Sequence, residues 1–312
     1  MSHNTRSVPA PGGTYRLGDH EVARVGYGAM QLRHCAAHPA EAVALLERAI
    51  ALGVDHIDTA QFYGNGFVNE KIRRVLRPGD GILVASKVGA DPEPHGKIPI
   101  KPAQRPEQLR ASVEANLVSL GLEQIPLVNL RRMDVGPGTV AEGDQIVDIE
   151  DQMAVMIAMR DEGKIGAIGL SAVNLDGLER ALPAGIACVQ NAYSLVSRQF
   201  EDVLTFCLAN EIAWVPFFPI GGAVRGWPKV TDQSKVIDIA ARLSITPLQV
   251  ALAWLLRHTS NTLLIPGTAS IEHLEQNMAA ASVVLDEDVM ADLDAIEPTM
   301  IDRRPQSAIS RH

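Results

Sequence analysis

The stretch HIDTAQFYG, His56 to Gly64, carries an acid, a hydroxyl and a phenol within six residues, directly after an apolar run. Taken alone it has two readings. Asp and Thr after a strand commonly cap a turn, and a Tyr in a loop commonly just packs. The next apolar run, ILVASK, ends in Lys87. If Asp58, Tyr63 and Lys87 share one pocket, the chemistry becomes specific. A phenol with its ordinary pKa of about 10 is a poor acid at neutral pH, and a neighbouring ammonium favours the phenolate. Asp58 would pair with Lys87, keeping it charged and aimed. Tyr63 could then hand a proton to an oxygen that is becoming an alkoxide. Carbonyl reduction needs that step when hydride arrives from a nicotinamide.

The elements that must position these residues repeat one unit. EAVALLERAIALG reads as an amphipathic helix, VDHIDTA as a strand, VNEKIRRVL as a helix and ILVASK as a strand. PEQLRASVEANLVSLG and IEDQMAVMIAMRDEG are helices with Gly stops, and IPLVNLR between them is a strand. The alternation continues through KIGAIGLS, LDGLERAL, IACVQNAYS, FEDVLTFCLANE, IAWVPFFP, QVALAWLLRH, TLLIPG and IEHLEQNMAA. Strand then helix, many times over, means a parallel sheet. The count and the 312-residue length predict an α/β fold of the (β/α)8 TIM-barrel type. A doubly wound sheet would carry a GxGxxG turn after its first strand, and that turn is missing.

RLGDHEVARVGYG predicts an N-terminal β-hairpin closing the barrel floor. Residues 1–13 read as a flexible lead without the apolar core of a secretory signal, and residues 14–312 as a single domain. In such a barrel, functional groups sit at the C-terminal ends of the strands. Those ends carry Gly28 to Gln31, Asp58 with Tyr63, Lys87, Arg131, Ser171, Gln190 with Asn191, Phe217, and Gly267 with Thr268.

With DTAQFYGNG, VASKVG, RVGYGAMQ, VQNAY, WVPFFPIGG and IPGTASIEHLEQNMAA, the chain resembles the aldo-keto reductases over nearly its whole length. The resemblance implies NADPH, in preference to NADH, and a small-molecule carbonyl substrate. It makes Asp58, Tyr63 and Lys87 members of the family's Asp-Tyr-Lys-His tetrad. It implies cofactor contacts from Gly28, Ala29 and Met30, with Ser171 and Gln190 on the carboxamide. Phe217 would lie against the nicotinamide face, followed by Phe218, Pro219 and Ile220. Gly221 and Gly222 would let backbone N–H groups approach the pyrophosphate. Pro266, Gly267, Thr268, Ser270, His273, Gln276 and Asn277 would surround the adenosine end, where a helix N-terminus suits phosphate.

Three positions depart from the family pattern. Arg131 stands where the tetrad His is expected. A guanidinium cannot act as an acid, but it can stabilise a developing oxyanion or bind an acidic group on the substrate. Ala172 stands where an Asn usually follows the strand-end Ser, so one carboxamide contact is missing or moved. The region after IPG has no Lys or Arg for a 2′-phosphate, which leaves Thr268, Ser270 and His273.

VNLRRMD, with GYGAMQL and TPLQVALAWLLRH, resembles a bacterial branch that includes a pyridoxal reductase. That implies pyridoxal or another small aromatic aldehyde, with Arg131 on the ring hydroxyl or the aldehyde oxygen. Two alternatives stand beside this reading. One is an NAD(P)-linked dehydrogenase of a sugar or alcohol. The other is a nicotinamide-binding regulatory subunit, which only Arg131 favours.

The net charge of −9 argues against a nucleic-acid partner, and no apolar run approaches the ~20 residues of a membrane span. Cys35, Cys188 and Cys207 are odd in number and widely spaced, which fits a reducing cytoplasm. His34, Cys35 and His38 lack further ligands at metal spacing, so no metal is expected. His56 shares a strand face with Asp58 and reads as a hydrogen-bonded barrel residue. Trp254 reads as core and Trp227 as a pocket candidate. Ala90–Pro106 is long for a βα loop and is either a lid or a surface excursion; Val135–Asp144 forms a second loop at the same end.

Overall fold

The chain opens with an antiparallel hairpin of β1 (Thr14–Leu17) and β2 (His20–Ala23) in a computed structural model that describes residues 8–93, 95, 99–133, 135, 139–222 and 227–299. Seven parallel strands follow: β3 (Tyr27–Gly28), β4 (His56–Asp58), β5 (Leu83–Val88), β8 (Ile125–Arg131), β9 (Ile165–Ser171), β10 (Ile186–Gln190) and β11 (Ala213–Trp214). They neighbour one another in that order. The predicted strand TLLIPG closes the ring: Thr262 bridges Trp214 and Leu264 bridges Val25, both in parallel. The (β/α)8 barrel is therefore the observed architecture.

The helices between successive strands are α1 (Pro39–Ala51), α2 (Phe67–Val75), α3 (Pro106–Leu120), α4 (Ile149–Asp161), α5 (Leu175–Ala181) and α6 (Glu201–Ala209). Local chemistry sets their ends. The side chains of Asp148 and Asn174 accept backbone N–H bonds at the starts of α4 and α5. Gly121 ends α3 at φ 65°, a conformation that favours glycine. After β11 come two helices, α7 (Ser234–Leu243) and α8 (Pro247–His258), then α9 (Ile271–Ala279) and α10 (Glu287–Asp294). The strand–helix alternation does not anticipate α7 or α10, because one helix per strand satisfies it. In α7, Val236, Ile239 and Ala240 are buried at helical spacing, and that pattern was readable.

Two apolar layers result. Outside the strands, Leu45, Leu46, Ile57, Val128 and Ile168 join the core between sheet and helices. Inside, Leu83, Ala85, Leu127, Cys188, Ala213, Val215 and Leu263 pack together with Leu17 and Val22 of the hairpin. The hairpin thus plugs the N-terminal mouth, as expected. Of the predicted lead, residues 1–7 lie outside the described residues. Val25 donates to the Pro11 carbonyl at 3.1 Å and Arg24 to that of Gly13 at 2.9 Å. The long segment after β5 folds back as a hairpin of β6 (Ala90–Pro92) and β7 (Ile100–Pro102). Residues 94 and 96–98 lie outside the described residues, and so do 134 and 136–138 of the second loop.

Candidate active site

Strand pleat places the polar groups. Asp58 pairs in register with Ala85, so Lys87 lies two residues farther along β5 on the same inward face. The same parity runs through Leu127, Asn129 and Arg131 on β8, and through Cys188 and Gln190 on β10. Apolar residues occupy the lower layers and polar ones the last layer, at the C-terminal mouth.

There Lys87 Nζ lies 2.5 Å from Asp58 Oδ1 and 3.1 Å from the Thr59 carbonyl, with both charged side chains buried. Burial opposes the ammonium, but Asp58 first and then Tyr63 outweigh it and hold the Lys87 pKa above the usual lysine value. Tyr63 sits in the turn between β4 and α2, its ring centroid 5.2 Å from Lys87 Nζ. Phe62 braces that ring edge-on at 5.2 Å. Behind the pair, Thr59 Oγ1 donates to Asn69 on α2 at 2.8 Å, Asn69 donates to Asn116 on α3 at 3.1 Å, and Ser86 Oγ donates to Asn116 at 2.6 Å. Sequence reasoning missed this support. Its signal was an Asn on the buried face of each of two adjacent helices.

Gln190 Nε2 donates to the second Asp58 oxygen at 2.8 Å, which leaves Gln190 Oε1 buried without a partner. Ser171, the register partner of Gln190 on β9, has a buried Oγ that is likewise unpartnered. One free acceptor beside one free hydroxyl suits a primary carboxamide, whose NH2 donates and whose oxygen accepts. The residues present therefore fit a nicotinamide. Ala172, next in the chain, is held at φ 54°. Asn191 keeps it there, accepting from the Val173 N–H at 3.0 Å and donating to the Val173 carbonyl at 2.7 Å.

Arg131 ends β8, in register with Ser171. Its Cζ lies 6.0 Å from the Phe217 ring centroid, and its Nε is buried without a partner. Among the described residues no carboxylate pairs with it. Burial pulls its pKa below the usual arginine value, and the nearby Tyr63 opposes that shift. The cluster thus contains one carboxylate and two cations, with a phenol that interacts with both cations.

The remaining predicted residues follow the C-terminal ends of strands or lie on α9. Phe217 to Gly222 follow β11, where Phe217 and Phe218 meet edge-on at 4.9 Å. Trp227 packs edge-on against Phe218 at 6.1 Å. Gly221 and Gly222 take φ 69° and 65°. Gly28 and Gly267 face each other across the closing strand. A Cβ on Gly28 would lie 2.4 Å from the Ile265 carbonyl oxygen, and one on Gly267 2.5 Å from that of Gly28. Ala29 and Met30 follow Gly28 in a 3-10 turn. Thr268 is fixed from both sides: its carbonyl accepts from Tyr27 OH at 2.6 Å, and its Oγ1 accepts from Ser270 N at 3.1 Å. Ser270 caps α9 by accepting from His273 N, and Gln276 and Asn277 lie on that helix.

Other expectations resolve differently. His56 is buried beneath Gly26, and neither ring nitrogen has a hydrogen-bond partner; Asp55 is its nearest carboxylate, at 3.7 Å. It is not the hydrogen-bonded residue expected. A side chain at residue 26 would strike its ring, so steric fit holds it. Trp254 is core, as expected. Cys35, Cys188 and Cys207 are buried and free. No single described helix is long and apolar enough to cross a membrane.

Comparison with known proteins shows related sequences and a shared fold. Residues 24–298 match the aldo/keto reductase family. A pyridoxine 4-dehydrogenase of Escherichia coli is 41% identical over 297 residues, spanning 91% of this chain and 98% of its own. An uncharacterized oxidoreductase of Schizosaccharomyces pombe is 33% identical over 90% of this chain and 89% of its own. The crystal structure of an aldo-keto reductase from Klebsiella pneumoniae in complex with NADPH superposes with a TM-score of 0.75 at 28% identity, covering 93% of this chain and 97% of that one.

Proposed function

The chain belongs to the aldo/keto reductase family, and from there we propose that it is an NADPH-dependent carbonyl reductase acting on pyridoxal or a comparable small aromatic aldehyde. The observation that carries this is the buried Asp58–Lys87 pair set against Tyr63, beside the unpartnered Ser171 Oγ and Gln190 Oε1. Bound NADPH supplies the hydride. Tyr63 gives its phenolic proton to the carbonyl oxygen as negative charge develops there. Lys87, held cationic by Asp58, faces the phenolate left behind. Arg131 gives no proton. Its fork would bind the reacting oxygen, or an acidic ring oxygen beside it, and no described carboxylate competes for it.

Ser171 and Gln190 would hold the carboxamide and Phe217 the ring face. The capped start of α9, with Thr268, Ser270 and His273, would receive the 2′-phosphate end. NADPH is favoured by the Klebsiella pneumoniae structure, and the pyridoxal–pyridoxine couple by the Escherichia coli relative. Direction follows the cellular ratio of reduced to oxidised cofactor.

The test is NADPH oxidation at 340 nm with pyridoxal, benzaldehyde and an aldose, repeated with NADH. Pyridoxal with the highest kcat/KM supports the proposal. Turnover of benzaldehyde alone keeps the reductase and removes pyridoxal. Nicotinamide binding without any turnover would point to a regulatory subunit instead.

A further inference from the structure

Beyond the groups that face the reaction, a chain of buried amides ties the strand ends that carry Lys87 and Arg131. Strand pairing between β5 and β8 stops at Val88 and Leu130. One residue farther on, the carbonyls of Gly89 and Arg131 converge on a single donor, Gln104 Nε2, at 2.5 and 2.8 Å. Gln104 is 2% exposed and lies just after β7. Gly89 permits the approach: at φ 97°, a Cβ there would lie 2.3 Å from the Arg131 oxygen and 2.9 Å from Gln104 Nε2.

Gln104 is itself oriented. Gln152, fully buried on the first turn of α4, donates to the Gln104 carbonyl at 2.7 Å and to its Oε1 at 3.1 Å. Arg132 Nη1 donates to Gln152 Oε1, and to the Val147 carbonyl at 3.1 Å. The Gln104 backbone N–H donates to Gln145 Oε1 at 2.8 Å. On the other side, Arg132 N–H donates to the Ser171 carbonyl at 2.8 Å. Arg131 is thus clamped through its own carbonyl and through the next amide.

We propose that Gln104 is a positioning residue for Arg131, using one carboxamide to continue the β5–β8 pairing past its last rung and so fixing where the guanidinium meets the substrate. The role rests on the reductase reading only for its catalytic consequence. The physical reason is the cost of the alternative. Without Gln104 Nε2 the Arg131 carbonyl loses its donor and the Gly89 carbonyl keeps only the Ala103 N–H, at 3.1 Å; a strand end with an unsatisfied carbonyl separates or admits water. A displacement of about 1 Å at such a site is enough to lose roughly a hundredfold in rate. Both loops over the mouth feed the clamp, since Gln104 follows the β6–β7 hairpin and Gln145 belongs to the β8–α4 connection.

The experiment is a double-mutant cycle with the full chain: wild type, Q104E, R131M and Q104E/R131M. Q104E keeps the shape and breaks the two-pronged bond: ionised it has no donor for either carbonyl, and protonated it has one O–H, enough for only one of them. The expected result is a 10- to 100-fold lower kcat/KM for Q104E with an NADPH dissociation constant within twofold of wild type. In the R131M background the same change should cost less than threefold. Equal fold losses in both backgrounds, or a parallel loss of NADPH affinity, would mean a general structural role and overturn the proposal. If Q104E does not fold, Q152L removes the group that orients Gln104 and must show the same non-additivity. Hydrogen exchange without substrate supplies a readout independent of turnover. Exchange at the Arg132 amide should quicken at least tenfold in Q104E while the β4 amides stay unchanged. An unchanged Arg132 amide refutes the clamp. An inactive wild type with a quickened amide keeps the clamp and rejects the reductase reading.

Discussion

At the scale of single residues, the site separates a proton donor from the charges that govern it. Y63F should retain NADPH binding and lose about 10²- to 10⁴-fold in kcat, read by fluorescence titration and steady-state rates. R131M should lower kcat/KM for pyridoxal by about 10²- to 10³-fold, and R131K should recover only part of that, because an ammonium lacks the two-pronged fork. The Asp58–Lys87 pair also has a stability signature. The folded pKa of Lys87 is raised, so its contribution is complete below the unfolded value of about 10.4 and is lost as pH rises through the folded value. Urea unfolding should show no change from this pair between pH 7 and 9 and a decline above pH 10. D58N leaves a buried ammonium without its carboxylate and should cost about 3–5 kcal/mol at pH 7.

At the scale of elements, the barrel depends on how closely its first and last strands approach. Gly28 and Gly267 are wanted there for space. Their neighbours are backbone oxygens of the facing strand, which have no rotamer to change. G28A should therefore destabilise by about 1–3 kcal/mol or more. It should weaken cofactor binding in proportion, because Thr268 and the capped start of α9 follow directly from that seam. Thermal denaturation with and without NADPH measures both effects. Unchanged stability in G28A would mean that the seam can open without loss. The strand periods, the Gly stop of α3 and most helix positions were legible in the sequence, since each is encoded in spacing within one segment. The β6–β7 hairpin was not, because its pairing joins residues across a Pro-rich segment with no alternation of its own.

For the molecule as a whole, ring closure predicts that the termini of the barrel unfold together. Trp214, Thr262, Leu264 and Val25 link the last strands to the first, so no free sheet edge divides the chain into halves. Calorimetry should give one transition. NADPH at 100 times its dissociation constant should add about 2.7 kcal/mol, which for 312 residues moves Tm by about 4 °C. Two resolved transitions, only one of them shifted by cofactor, would contradict a single folding unit.

By itself the sequence determined the barrel, the strand ends and the identity of Asp58, Tyr63, Lys87 and Arg131 as the groups at those ends. These follow from local rules: period two in strands, period 3.6 in helices, and polar residues at the last inward position. Only the tertiary structure decided the partnerships. Which oxygen of Asp58 meets Lys87 and which meets Gln190 depends on the register of three strands. The orphaned atoms of Ser171 and Gln190, the Asn69–Asn116 support and the Gln104 clamp each join residues far apart in sequence. The partner of an amide is whatever the fold brings within about 3 Å of it, and spacing along one segment carries no record of that.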